Sequence, residues 1–160
     1  MTKEYILHLI IERLFQDLTI VFTAAKTAHE AATHSENIPD NKYDTLGLEA
    51  SYVAQGQANR AQDLKFALEA YRRLALQEFN EGSPISLTAL VTLEADDGSF
   101  RKIFIGPLEG GLKVKDDNSE IIVITPGSPL GRGLIGKSVG DRVQTGMRSS
   151  GKEYEIVNVC

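Results

Sequence analysis

The stretch Thr125-Pro126-Gly127-Ser128-Pro129-Leu130-Gly131-Arg132-Gly133-Leu134-Ile135-Gly136-Lys137 decides how the C-terminal half is read. Ser128 suits a helix N-cap, where its side-chain oxygen can accept from a backbone N–H of the first turn. Pro129 fits that turn because no N–H is needed there. Leu130, Leu134 and Ile135 give the short helix an apolar face, with Leu134 and Ile135 expected in the core. Gly136 is placed to stop it. Gly140-Asp141 then turns the chain into a strand pair, Arg142–Met147 and Glu153–Val159.

Upstream of this helix the residues alternate as strands do. Leu87–Leu93 is the first, and Asp96-Asp97-Gly98 is a turn leading into Arg101–Ile105. A short Leu112-Lys113-Val114 follows Gly110-Gly111, and Glu120–Ile124 completes the set. Strands with one inserted helix make a small α+β sheet domain.

The N-terminal half carries a different period. From Lys3 to about Thr33 there is no Gly or Pro, and Leu7, Ile11, Leu14, Leu18, Val21, Ala25, Ala28 and Ala32 step by fours and threes. A second seam runs through Ala50, Ala54, Gln57, Ala61, Leu64, Leu68, Tyr71 and Ala75. Between them, Ser35–Lys42 contains Pro39 and several Asn and Asp residues and must be the bend. Antiparallel pairing brings Leu18 near Ala61, Ala25 near Ala54 and Ile11 near Leu68. Seam residues shrink toward the bend in both helices, which predicts a slender distal half that buries less apolar surface per turn. The expected division is a helical hairpin over 1–80 with its tip at 34–45, a linker over 81–86 and a sheet domain over 87–160.

Composition bounds the function. The 160 residues are 42% apolar and 24% charged, as in ordinary folded domains, with a net charge of −5 that argues against non-specific nucleic-acid binding. No apolar run reaches the ~20 residues of a membrane span, and the N-terminus is no secretory signal. Cys160 is the single cysteine, so neither a disulfide framework nor a Cys-based zinc site is expected, and a reducing cytoplasm fits.

The Ser128–Lys137 run, together with Val139–Val143 and Glu153–Val157, resembles the signature of the bacterial Gre transcript-cleavage factors. The resemblance implies an N-terminal antiparallel coiled-coil hairpin followed by an FKBP-like antiparallel sheet domain with one short helix. It implies RNA polymerase as the partner: the loop from Ser128 docks at the rim of the secondary channel, with Ser128, Pro129, Leu130 and Arg132 as the contact residues. The hairpin tip enters the channel, where its carboxylates help hold a Mg²⁺ and a water in the polymerase active site, so that backtracked RNA is cut at its 3′ end. The factor has no cofactor of its own and is not an enzyme alone. A monomer is the expected state, because the hairpin closes its own seam.

At the tip the family has Asp-x-x-Glu-Asn. Aligning on Glu36-Asn37 puts Thr33 where the family has Asp, and the bend is longer, adding Asp40 and Asp44. Glu36, Asp40 and Asp44 are the candidate catalytic carboxylates, and Glu36 and Asp40 the candidates for the Mg²⁺, since hard cations take oxygen donors. A second register places Tyr43–Tyr52 against the downstream half of the motif. Asp44, just before Thr45-Leu46, also suits a helix N-cap. Thr33 and the longer bend favour an alternative, a non-catalytic regulator that occupies the channel as anti-Gre homologues do. A prolyl isomerase, suggested by the FKBP-like resemblance alone, has few aromatics (Phe100, Phe104, Tyr154) for a proline pocket.

Other motifs carry less. His29 and His34 are five apart and do not share a helix face as i, i+4 zinc pairs do. Gly106–Gly111 lacks the lysine and following helix of a phosphate loop, and Ser128 has no triad partner in a motif. Arg60, Lys65, Arg72 and Arg73 could face nucleic acid or acidic polymerase surfaces, or form a solvated face.

Overall fold

In a computed structural model the described residues are 2–33, 46–145 and 151–160, with side chains omitted for 32–33 and 46–51. The predicted carboxylates Glu36, Asp40 and Asp44 lie outside the described residues. Helices α1 (Lys3–Thr33) and α2 (Leu46–Arg72) precede strands β1 (Leu90–Ala95), β2 (Phe100–Ile105), β3 (Lys113–Lys115) and β4 (Glu120–Ile124). A short α3 (Pro129–Leu134) and strands β5 (Arg142–Thr145) and β6 (Lys152–Val159) complete the chain. Two compact units result, one of Ile11–Arg72 and one of Met1–Ile10 with Arg73–Cys160.

The six strands form a single sheet in the order β3-β4-β2-β1-β6-β5. It is mixed rather than antiparallel, because β2 and β4 run parallel with Ile103 opposite Ile122. After β2 the chain reverses to form β3 at the sheet edge, then reverses again into β4 between them. The second reversal is an Asp turn: Asp116 accepts from the backbone N–H groups of Asn118 (2.9 Å) and Ser119 (2.7 Å), which holds its carboxyl below the usual range. Asp97 caps the β1–β2 turn in the same way, accepting from the N–H and hydroxyl of Ser99.

One sheet face carries the core. Val91, Leu93, Ile103, Ile105, Val143, Tyr154 and Ile156 pack with Leu134 of α3 and with Ile85, which is 1% exposed. The first strand begins at Leu90 and not at Leu87. Thr88 takes a positive φ of 75° and is buried; its N–H donates to the Ile105 carbonyl and its hydroxyl oxygen accepts from the N–H of Gln77 at 2.9 Å. A β-branched residue with positive φ is an outlier, held here by one bond from its backbone N–H and one to its side-chain hydroxyl. The Lys3 ammonium donates to the Gln77 carbonyl and lies 4.7 Å from the Phe79 ring centroid, so the start of α1 is tied to the same segment.

In the unit Ile11–Arg72 the seam follows the expected face. Leu14, Leu64 and Leu68 are buried, while Leu18, Val21, Ala25, Ala28, Ala54, Gln57 and Ala61 are half-buried. Burial therefore falls along both helices as the side chains shorten. The first turns of α1 depart from the 4-3 pattern. Ile6 and Ile10 are the fully buried positions and Leu7 and Ile11 only half-buried, a shift of face that coincides with the boundary between the units. Ala75 lies beyond the end of α2 and is exposed.

Two truncations test the gradient. Leu14→Ala or Leu64→Ala removes a fully buried side chain and is expected to cost about 2–5 kcal/mol in urea unfolding. Leu18→Ala, at a half-buried position, is expected to cost less than half as much. Equal costs would contradict the loosening of the rod.

Candidate functional site

The loop around α3 is built by backbone chemistry that the sequence specifies. Ser128 is the N-cap, with φ −70° and ψ 160°, and its Oγ accepts from the Gly131 N–H at 3.1 Å. The same hydroxyl donates to the Thr125 carbonyl at 2.8 Å, and the Ser128 N–H donates to that oxygen at 3.1 Å. One carbonyl thus closes the turn Thr125–Ser128 from two sides. Gly131 makes this closure sterically allowed: a Cβ there would lie 1.9 Å from the Thr125 oxygen. Gly133 is also close-packed, since a Cβ would stand 3.2 Å from Val143 Cγ2.

The helix ends where expected, at Gly136 with φ 85°, but Ile135 does not enter the core. It is the C-cap with ψ 130°, and that extended conformation leaves its side chain 39% exposed. Sequence reading had no signal for this, because an apolar residue one position after Leu134 fits the helical stripe equally well. The Gly136 N–H donates to the Ile85 carbonyl (2.9 Å) and the Ile85 N–H to the Lys137 carbonyl (2.7 Å). These two bonds fix the exit of the loop to a core residue. Beyond it, Asp141 accepts from the Ser138 N–H at 2.9 Å and turns the chain into β5.

The structure therefore brings the four expected contact residues into one hydrogen-bonded loop with unequal exposure. Pro129 and Arg132 are exposed, Leu130 is partly buried against the core, and Ser128 is partly buried with its hydroxyl engaged internally. Ser128 shapes the surface more than it offers it. Ile135 joins Pro129, Leu130 and Arg132 as an apolar group beside an arginine, a makeup enriched in protein interfaces. Among the described residues no group of three or more His, Cys, Asp or Glu side chains is placed to hold a metal ion, and no helix is long and apolar enough to cross a membrane.

If this closure sets the loop, Gly131→Ala should destabilise the protein by several times as much as Ser128→Ala, whose lost cap costs about 1 kcal/mol. Thermal unfolding of the two variants distinguishes them. A Gly131→Ala protein as stable as wild type would show that the loop relaxes freely.

Comparison with known proteins bears on the same segment. Residues 82–160 match the family described as Transcription elongation factor, GreA/GreB, C-term. The chain is 38% identical over 133 residues to the transcription elongation factor GreA of Beijerinckia indica, covering 82% of this chain and 77% of that one. It is 30% identical over 132 residues to GreA of Mesorhizobium japonicum, covering 81% and 76%. Both alignments are longer than the 82–160 segment and so extend into the helical half. A crystal structure of GreA factor homolog 1 from Thermus thermophilus is 26% identical and covers 94% of each chain, with a TM-score of 0.40, too loose a superposition to carry weight. The shared sequence over both halves places this chain in the GreA/GreB family of transcription elongation factors.

Proposed function

We propose that this chain binds RNA polymerase through the α3 loop and acts at its secondary channel, stimulating 3′ cleavage of backtracked transcripts. The observation that carries the reading is the loop itself. Ser128, Thr125 and Gly131 lock a turn that holds Pro129, Arg132 and Ile135 outward, and a pre-set loop binds with little ordering cost. Family membership supports the same reading, and Leu130 and Arg132 are the side chains with most to lose at such a contact.

The cleavage role rests on Glu36, Asp40 and Asp44. Carboxylates match the oxygen-donor preference of Mg²⁺, and Glu36 and Asp40 are the residues that would approach the polymerase's own ion. Such an ion supplies charge stabilisation and an activated water. On this reading the chain adds donors and positions them, and catalysis belongs to the polymerase, so the chain is not an enzyme by itself.

A second reading is favoured by one residue. Thr33 stands where the family tip carries an Asp, so a factor that binds without stimulating cleavage is the alternative.

Transcript cleavage in purified backtracked complexes separates the two. Mg²⁺-dependent shortening of the RNA 3′ end by wild type, lowered at least about tenfold by Glu36→Ala, Asp40→Ala or Asp44→Ala, is the expected result. Chelation of Mg²⁺ should abolish it. Bound protein with no shortening would contradict the cleavage role and leave the channel-occupying regulator.

A further inference from the structure

In a two-helix rod each helix needs one apolar stripe, the one that faces its partner. Helix α1 carries more. Phe15 and Phe22, seven residues apart and so on one face, are 55% and 64% exposed. Phe22 borders a groove of about 460 Å³ between the helices, lined by Leu18, Thr19, Phe22 and Ala25 of α1 and by Ala58, Ala61, Gln62 and Lys65 of α2. The concavity has a sequence cause: α2 contributes alanines at 58 and 61, and nothing bulky covers Leu18 and Phe22. The Thr19 hydroxyl is taken up by the Phe15 carbonyl at 2.9 Å, so it does not compete for a ligand in the groove.

Charge selects the occupant. Among the described residues Lys65 is the one ionic side chain lining the groove, and Lys26 follows Phe22 by one helical turn on the same side. Among the described residues neither makes an ion pair, and no carboxylate lines the groove. An apolar slot bordered by Lys65, which makes no ion pair among the described residues, is found on a chain whose net charge is −5. Nucleic acid fits poorly, because its affinity comes mainly from neutralised phosphates and two lysines on an acidic chain give little of that. An amphipathic protein segment that sets a large apolar side chain beside a carboxylate matches both features.

We infer that this groove is a second contact with the polymerase, accepting an acidic amphipathic segment of it whose apolar side chain packs on Phe22 and Leu18 and whose carboxylate meets Lys65. The inference rests on the polymerase reading above and assigns a contact that is separate from the α3 loop.

Affinity for core RNA polymerase tests it, with Phe22→Ser, Lys65→Glu and Arg132→Ala beside wild type, and a photo-crosslinker in place of Gln62. Phe22→Ser and Lys65→Glu should each weaken binding about tenfold. Phe22 is largely exposed, so its variant should keep wild-type circular dichroism, and the crosslink should map to an acidic polymerase segment. Unchanged affinity of both groove variants, with Arg132→Ala weakened, would overturn the groove and leave the docking loop standing. No binding by wild type would overturn both. A crosslink to RNA, or to a second copy of this chain with self-association that Phe22→Ser abolishes, would assign the groove to another occupant.

Discussion

The Thr125 carbonyl oxygen is the point on which the C-terminal half of this protein turns. It accepts from both the backbone and the hydroxyl of Ser128, and it occupies the space that a side chain at position 131 would need. Because the turn is closed at that atom, α3 starts at Pro129, its six residues set Leu134 into the core, and Ile135 emerges at the far end. A helix this short has little intrinsic stability. Its position comes from the cap at its start, from Leu134 buried at its last residue, and from the Ile85 bonds made just beyond it. The exposed residues Pro129 and Arg132 are therefore presented by a frame made largely of backbone.

The two units solve their packing differently. The sheet unit has a two-periodic core with Leu93, Ile103 and Ile156 fully buried, and its turns are fastened by Asp97, Asp116 and Asp141. The helical unit relies on one seam whose burial declines as Leu gives way to Ala. Hydrophobic stabilisation scales with apolar area removed from water, so the alanine part is the weaker part. It is also the part that leaves room for a groove. One sequence choice, small residues on α2, has both consequences.

Much of this was legible in the residues. Ser128-Pro129 and Gly136 marked both ends of α3, the 4-3 spacing marked α1 and α2, and alternation marked most strands to within a few residues. What escaped is non-local. Parallel pairing of β2 with β4 depends on where a three-residue edge strand lies, and alternation within Ile121–Ile124 carries no direction. Ile6 and Ile10 outrank Leu7 and Ile11 because the environment of α1 changes between its first turns and the rest, while the 4-3 spacing runs on unchanged. The first strand starts at Leu90, later than alternation from Leu87 suggests, because Thr88 adopts a positive φ that no β-branched residue favours alone. Glu36, Asp40 and Asp44 lie outside the described residues, and residue type with family likeness suggests a chemistry for them without fixing a geometry.

The central claim is that the α3 loop is the surface that meets the polymerase. Amide hydrogen exchange of this protein, free and with core RNA polymerase, tests it most directly. The account predicts slowed exchange in the complex across the amides of residues 130–136, while amides of the β5–β6 pair change little. Stable binding with unchanged exchange in that loop would contradict it.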